Sequence, residues 1–160
     1  GWLLSRGHAV AGAELSEIAV QQLFVELGME PSIVELGTIR HYRGQKIDIF
    51  VGDIFQVSRE MLSPVDAVYD RAALVALPAE VRQRYPAHLM EITATAPQLL
   101  ICYEYDQALQ AGPPFSVGRK ELHRHYRESY RLTLLDSTDV AGGLKGKCPA
   151  KENVWLLNKR

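Results

Sequence analysis

The stretch from His8 to Glu17, His-Ala-Val-Ala-Gly-Ala-Glu-Leu-Ser-Glu, most constrains what this chain can fold into. Its small and β-branched residues read as a short buried strand. The strand stops on a carboxylate, Glu14, and a helix starts directly after it. Gly12, two places before the acid, leaves little bulk where the strand meets its neighbours. In open α/β sheets, ligands bind in the crevice beyond the carboxyl ends of the strands. A carboxylate there can accept both hydroxyl hydrogens of a ribose, which a neutral side chain does less well. The segment therefore predicts a nucleoside site, with a merely solvated acid as the alternative.

The same pattern recurs. Residues 45–53 form a second run that ends on an acid, Asp53, and residues 65–70 form a third that ends on Asp70. Between them, Ser16 caps a helix whose apolar positions Ile18, Ala19, Leu23, Phe24 and Leu27 continue until Gly28 stops it. Residues 33–36 and 39–42 read as an extended excursion. Residues 58–62 read as a short helix bounded by Pro64, and residues 79–92 as a long helix. A fourth strand covers 98–105. Gly112-Pro113-Pro114-Phe115 fits neither regular helix nor central strand, because proline lacks a donor and fixes its own φ. A helix over 119–126 and strands over 130–135 and 154–157 complete the chain. Strands alternating with helices predict a mainly parallel, doubly wound α/β sheet. The late strands, joined by a loop, predict an antiparallel C-terminal edge. That edge separates methyltransferase-like sheets from dinucleotide-binding ones, and the analogy concerns fold, not function.

Composition narrows the classes. Eighteen Lys and Arg against 19 Asp and Glu leave no excess of positive charge for phosphate contacts, so no nucleic-acid partner is expected. No apolar run has membrane-spanning length and no secretory signal is visible. Two cysteines, Cys102 in an apolar strand and Cys148 in a Gly/Lys/Pro loop, fit a reducing compartment, and a cytoplasmic location is expected. One domain over residues 1–160 and a monomer are expected, since no feature points to an interface. His123 and His125, two apart on a helix, face different sides and make poor partners for one metal. Lys145-Gly146-Lys147 reads as a solvated basic loop, with a place over an active-site mouth as the alternative.

Three acids at successive strand ends, Glu14, Asp53 and Asp70, are expected to line one rim of the sheet. Asp53 can present an acceptor to an adenine amino group, and Ile54 and Phe55 an apolar wall to its ring, with core packing the equal alternative. Arg71 can hold an anionic group in a two-pronged way that lysine cannot. The alternative for Asp70-Arg71 is a local ion pair or a helix cap.

Taken together, Gly7 to Glu17, Gly52-Asp53-Ile54-Phe55, residues 69–78 (Tyr-Asp-Arg-Ala-Ala-Leu-Val-Ala-Leu-Pro) and Tyr105-Asp106-Gln107 followed by residues 112–117 resemble the bacterial thiopurine S-methyltransferase family. The resemblance runs in order through almost the whole chain. It implies a class I, S-adenosylmethionine-dependent methyltransferase with a Rossmann-like sheet. By position it implies that Glu14 takes the ribose, that Asp53 and Ile54 flank the adenine, and that Arg71 lies between cofactor and substrate. Pro113, Pro114 and Phe115 would lie near the substrate mouth. The family also begins with a flexible segment and a first strand carrying a Pro-Leu-Cys-Gly-Lys-type turn. Trp2 matches the helix after that turn, so an N-terminal piece including the first strand is expected to be absent from this sequence.

The activity so implied is methyl transfer to the sulfur of a small-molecule thiol, thiopurine-type or a selenium or tellurium species, in keeping with metalloid detoxification. A thiolate needs alignment with the sulfonium methyl more than acid–base help, and positioning can supply roughly 7–11 kcal/mol. Arg71 would favour the anionic thiolate electrostatically. An NAD-dependent oxidoreductase, which needs a preceding glycine-rich turn, and a non-catalytic binding module or remnant are the readings from other classes.

Overall fold

The computed structural model describes residues 1–160, which divide into two compact units, Gly1–Leu62 and Ser63–Arg160.

In the first unit a short helix α1 (Trp2–Ser5) ends at Gly7, whose φ of +86° suits a residue without a Cβ. Strand β1 (Val10–Glu14) follows, then helix α2 (Glu17–Glu26), with Ser16 Oγ accepting the Ala19 N–H at 3.3 Å as its cap. The excursion at 33–42 is an antiparallel hairpin, β2 (Ser32–Leu36) and β3 (Ile39–Gly44), whose return strand pairs with β4 (Ile47–Val51). The sheet order is β1-β4-β3-β2, with β1 parallel to β4 and lying at the edge. Helix α2 packs Val20 and Phe24 on Tyr42, Ile47, Ile49 and Val51. Gly44 lets the two layers close: a Cβ there would meet Phe24 Cε1 and Ile47 Cγ2, each at 2.9 Å. Emptying the Phe24 position would cost about 3–5 kcal/mol. Ile18, expected on the core face of α2, is instead 69% exposed, because the helix turns Val20 and Phe24 to the sheet.

The second unit holds β5 (Val68–Arg71), helices α3 (Ala79–Arg82) and α4 (Tyr85–Ile92), β6 (Gln98–Tyr105), α5 (Arg119–Tyr126), β7 (Tyr130–Asp139) and β8 (Ala150–Lys159). Its sheet order is β5-β6-β8-β7, with β5 at the edge and parallel to β6, and the other pairs antiparallel. Strand β8 thus inserts between β6 and β7, giving the antiparallel C-terminal edge. Across the chain only two strand pairs are parallel, fewer than the mainly parallel sheet expected, because the β2–β3 hairpin and the tail both add antiparallel partners. Leu100, Val117, Leu122, Tyr126, Tyr130 and Leu157 are fully buried and form the centre.

The long helix expected over 79–92 is two helices. Pro86 lacks the N–H that would bond to the carbonyl of Arg82, and its ring crowds that carbonyl, so the chain breaks at residues 83–84 and restarts with proline in the first turn of α4. No helix is long and apolar enough to cross a membrane.

Candidate active site

The parallel register of β1 and β4 brings two of the three acids together. Glu14 pairs with Val51, and the N–H of Gly52 donates to the Glu14 carbonyl at 2.9 Å, so Asp53 follows directly beyond the end of β1. Both side chains are exposed. Glu14 Oε1 accepts the Ser16 N–H at 2.8 Å, and Asp53 Oδ1 accepts the Phe55 N–H at 3.0 Å. Each carboxylate is thus steered by the turn it opens and keeps its second oxygen for another donor. Asp53 begins a 3₁₀ turn over Ile54–Gln56, in which Ile54 and Phe55 are half-buried. A hollow of about 160 Å³ lies between β1 and α2, lined by Gly12, Glu14, Ala19, Leu23 and Ile49. Pockets that enclose a cofactor-sized ligand run to about 300 Å³ or more, so this hollow does not enclose a whole adenosine.

The third acid behaves differently. Strand alternation points Asp70 into the second unit opposite Leu100, and it is 2% exposed. Its Oδ1 accepts the Leu74 N–H at 3.2 Å and its Oδ2 accepts the Tyr85 hydroxyl at 3.0 Å. The expectation that Asp70 joins Glu14 and Asp53 on one rim of a site is therefore corrected: it turns inward and takes the first amide of the 3₁₀ turn Leu74–Ala76, close to the capping arrangement named as its alternative. Burial pushes its carboxyl up, against the opposing pull of the Leu74 N–H, the Tyr85 hydroxyl and the Ala73 N–H. Arg71, one residue on, points to the other face and is exposed, with no carboxylate among the ion pairs to hold it. Ala72 then takes a φ of +68°, a left-handed conformation that costs an L-residue about 1–2 kcal/mol.

The Gly-Pro-Pro-Phe segment is tied down in the same unit. The Phe115 N–H donates to the Val75 carbonyl at 2.6 Å, and the Tyr105 hydroxyl donates to the Pro114 carbonyl at 2.6 Å. Lys145 Nζ donates to the Pro113 carbonyl at 2.6 Å, so the basic loop expected to be solvated is pinned to this segment. Beneath it the buried Arg82 guanidinium lies 5.3 Å from the Phe115 ring centroid and pairs through Nε with Glu121 Oε1 at 2.7 Å. Pro114 and Phe115 are half-buried.

With that geometry in place, the comparisons are decisive. The sequence model described as "Thiopurine S-methyltransferase (TPMT)" matches residues 1–160. Thiopurine S-methyltransferase of Xanthobacter autotrophicus is 54% identical over 158 residues, which cover 99% of this chain and 74% of that protein. The enzyme of the same name from Teredinibacter turnerae is 49% identical over 159 residues, with 99% and 74% covered. The chain belongs to the thiopurine S-methyltransferase family.

Thiopurine S-methyltransferases use S-adenosylmethionine, and this member is an S-adenosylmethionine-dependent methyltransferase. The fold agrees. A TehB-like SAM-dependent methyltransferase from Corynebacterium glutamicum superposes with a TM-score of 0.60 at 14% identity, covering 100% of this chain and 73% of its own. A Burkholderia thailandensis 1,6-didemethyltoxoflavin-N1-methyltransferase, solved with S-adenosylhomocysteine, gives 0.59 at 14% identity, with 99% and 65% covered. The donor set fits such a cofactor, because two adjacent carboxylates each keep a free oxygen for the hydroxyl and amino hydrogens of an adenosine. Sequence reading missed Tyr85, Arg82 and Glu121. Arg82 and Glu121 lie 39 residues apart and carry no motif, so only their burial and mutual contacts single them out.

Proposed function

We propose that the protein transfers a methyl group from S-adenosylmethionine to the sulfur of a thiopurine-type thiol, working as one methyltransferase domain over residues 1–160. Glu14 accepts the ribose hydroxyls, Asp53 accepts the adenine amino group, and Ile54 lies against the ring. Arg71 meets the anionic sulfur and the cofactor, and Pro114 and Phe115 border the substrate. The observation that carries this reading is that Glu14, closing β1, and Asp53, just past the end of the parallel strand β4, stand at neighbouring strand ends, each with one oxygen held by its own turn and one free.

Bound S-adenosylmethionine supplies a methyl group that is already electrophilic on a sulfonium sulfur. The chain's share is positional and electrostatic. Arg71 lowers the energy of the thiolate over the thiol, so that the proton leaves to solvent before the sulfur attacks. With the acceptor already an anion, no protein group would need to take a proton during methyl transfer, and the residues' task would be to hold the thiolate in line with the bound donor. Selenium or tellurium anions, larger and more polarisable, suit the same guanidinium as acceptors. A cytoplasmic monomer acting on a small molecule completes the proposal.

Calorimetric titration of the full-length protein with S-adenosylhomocysteine and with NAD tests it. Binding of the first alone is expected. Binding of NAD would favour an oxidoreductase, and binding of neither would favour a remnant.

A further inference from the structure

We infer that Tyr85 and Asp70 form a positioning pair that sets the direction of Arg71. This inference rests on the proposed role of Arg71 and assigns it a support that no motif in the sequence marks. Arg71 makes no ion pair or side-chain hydrogen bond to aim it, its charge only lying within electrostatic reach of the Tyr103 hydroxyl, and Ala72 beyond it sits in a left-handed conformation that the chain does not choose unaided. Something must hold the turn after β5. Asp70 reaches back across it: its Oδ1 takes the N–H of Leu74 and so closes residues 70–74 into a loop with Arg71 on its outer side. Asp70 is in turn fixed at its other oxygen by the hydroxyl of Tyr85, a buried residue at the start of α4. Tyr85 therefore acts on Arg71 through two links, hydroxyl to carboxylate and carboxylate to turn amide.

Two features make this a device and not incidental packing. Burying a carboxyl is costly without donors to its oxygens, and those that Asp70 finds, the Leu74 and Ala73 N–H groups and the Tyr85 hydroxyl, all lie in or against the turn. Neighbouring Tyr126, also fully buried, leaves its hydroxyl without a partner, so the bond from Tyr85 to Asp70 is a selected contact in a crowd of phenols.

The test is a double-mutant cycle in the full-length enzyme with 6-mercaptopurine as the thiol. Tyr85→Phe keeps the ring and removes only the hydroxyl, and Asp70→Asn keeps an acceptor for Leu74 but none for Tyr85. Either change is expected to lower kcat/KM about tenfold when Arg71 is present, and by less than about twofold in an Arg71→Ala background. The amide of Leu74 should exchange its hydrogen faster in both variants without any ligand bound, while the affinity for S-adenosylhomocysteine changes little. Equal losses in both backgrounds would reduce Tyr85 to a stability role and overturn the inference, as would unchanged exchange at Leu74. If Arg71→Ala itself keeps the wild-type rate, the catalytic reading of Arg71 fails instead. Exchange at Leu74 then still reports whether Tyr85 holds the turn.

Discussion

Glu14 and Asp53 in the first unit and Asp70 in the second occupy the same place in the chain's repeating grammar, an acid that closes a strand. Their fates are opposite. Glu14 and Asp53 bend onto backbone N–H groups two residues ahead and remain exposed, each with an oxygen to spare. Asp70 points inward, reaches an N–H four residues ahead, and spends its other oxygen on Tyr85. The difference comes from strand parity. Asp70 lies within β5 and faces the same way as its partner Leu100, which is fully buried, so its neighbour Arg71 faces out. Asp53 lies two residues past the end of β4, where the chain has left the sheet. A strand-end acid thus stays at the surface or becomes a structural clamp according to its phase, and under the proposed function the ligand role in the second unit passes to the next side chain.

The comparison breaks most readily at Arg71. If the second unit contributes through that residue, Arg71→Ala should lower kcat/KM for a thiol on the order of a hundredfold, and Arg71→Lys should also fall short because it keeps the charge but not the fork. Steady-state kinetics decide this, and wild-type rates in both variants would leave the second unit's rim without a role. The next largest effect belongs to the first unit. Glu14→Gln should weaken S-adenosylhomocysteine binding about tenfold by calorimetry, since a carboxylate is a stronger acceptor than an amide. Asp53→Asn should cost less, because one amino group replaces two hydroxyls. An equal or larger loss in an Asp70→Asn protein would erase the distinction between ligand acid and clamp.

How much of this was legible before the coordinates follows the range of the forces involved. The Ser16 cap, the stop at Gly28, α5 at 119–126 and β6 at 98–105 are local matters of periodicity and turn chemistry, and they lie where the sequence places them. Pro86 was a legible break that the apolar run through 79–92 concealed. The inward turn of Asp70 was not legible, because parity is fixed by the partner strand and Leu100 is thirty residues away. The seating of Lys145 on Pro113 and of Arg82 between Phe115 and Glu121 likewise depends on tertiary approach. The nearness of Glu14 to the turn that carries Asp53 depends on β1 and β4 running parallel and adjacent, as they do.

A smaller effect sharpens the comparison through pH. Burial raises the Asp70 carboxyl above the ordinary carboxylate range, so folding binds its proton more tightly than the unfolded chain does. Its contribution to stability is therefore fully present below the unfolded value and is lost as the pH rises through the folded one. Asp70→Asn has no such proton. The urea midpoint of the wild type minus that of Asp70→Asn should decline as the pH rises above the ordinary carboxylate value of about 4. An increase there would mean that the charged carboxylate is the favoured form, with its three donors outweighing desolvation.

The smallest expected effect returns to the first unit, at a carboxylate three residues after Glu14. Glu17 opens α2, and Arg40 Nη1 reaches both of its oxygens at 2.7 Å while Arg40 Nε holds Glu35 at 2.9 Å. Hydrogen bonds from Arg40 and Tyr42 keep the Glu17 carboxyl below its ordinary range. The network ties the start of α2 to the β2–β3 hairpin, yet Arg40 is half exposed, with 48% of its side chain in solvent. Water and salt screen such pairs, so their net contribution is small. Arg40→Gln should lower the thermal midpoint slightly at low ionic strength, and the difference from wild type should vanish at about 1 M salt, where the Debye length falls to about 3 Å. A salt-independent loss would show that Arg40 acts through packing of its stem and not through charge. In that case the loop carrying Glu14 would share the kind of fixed support that Asp70 gives Arg71.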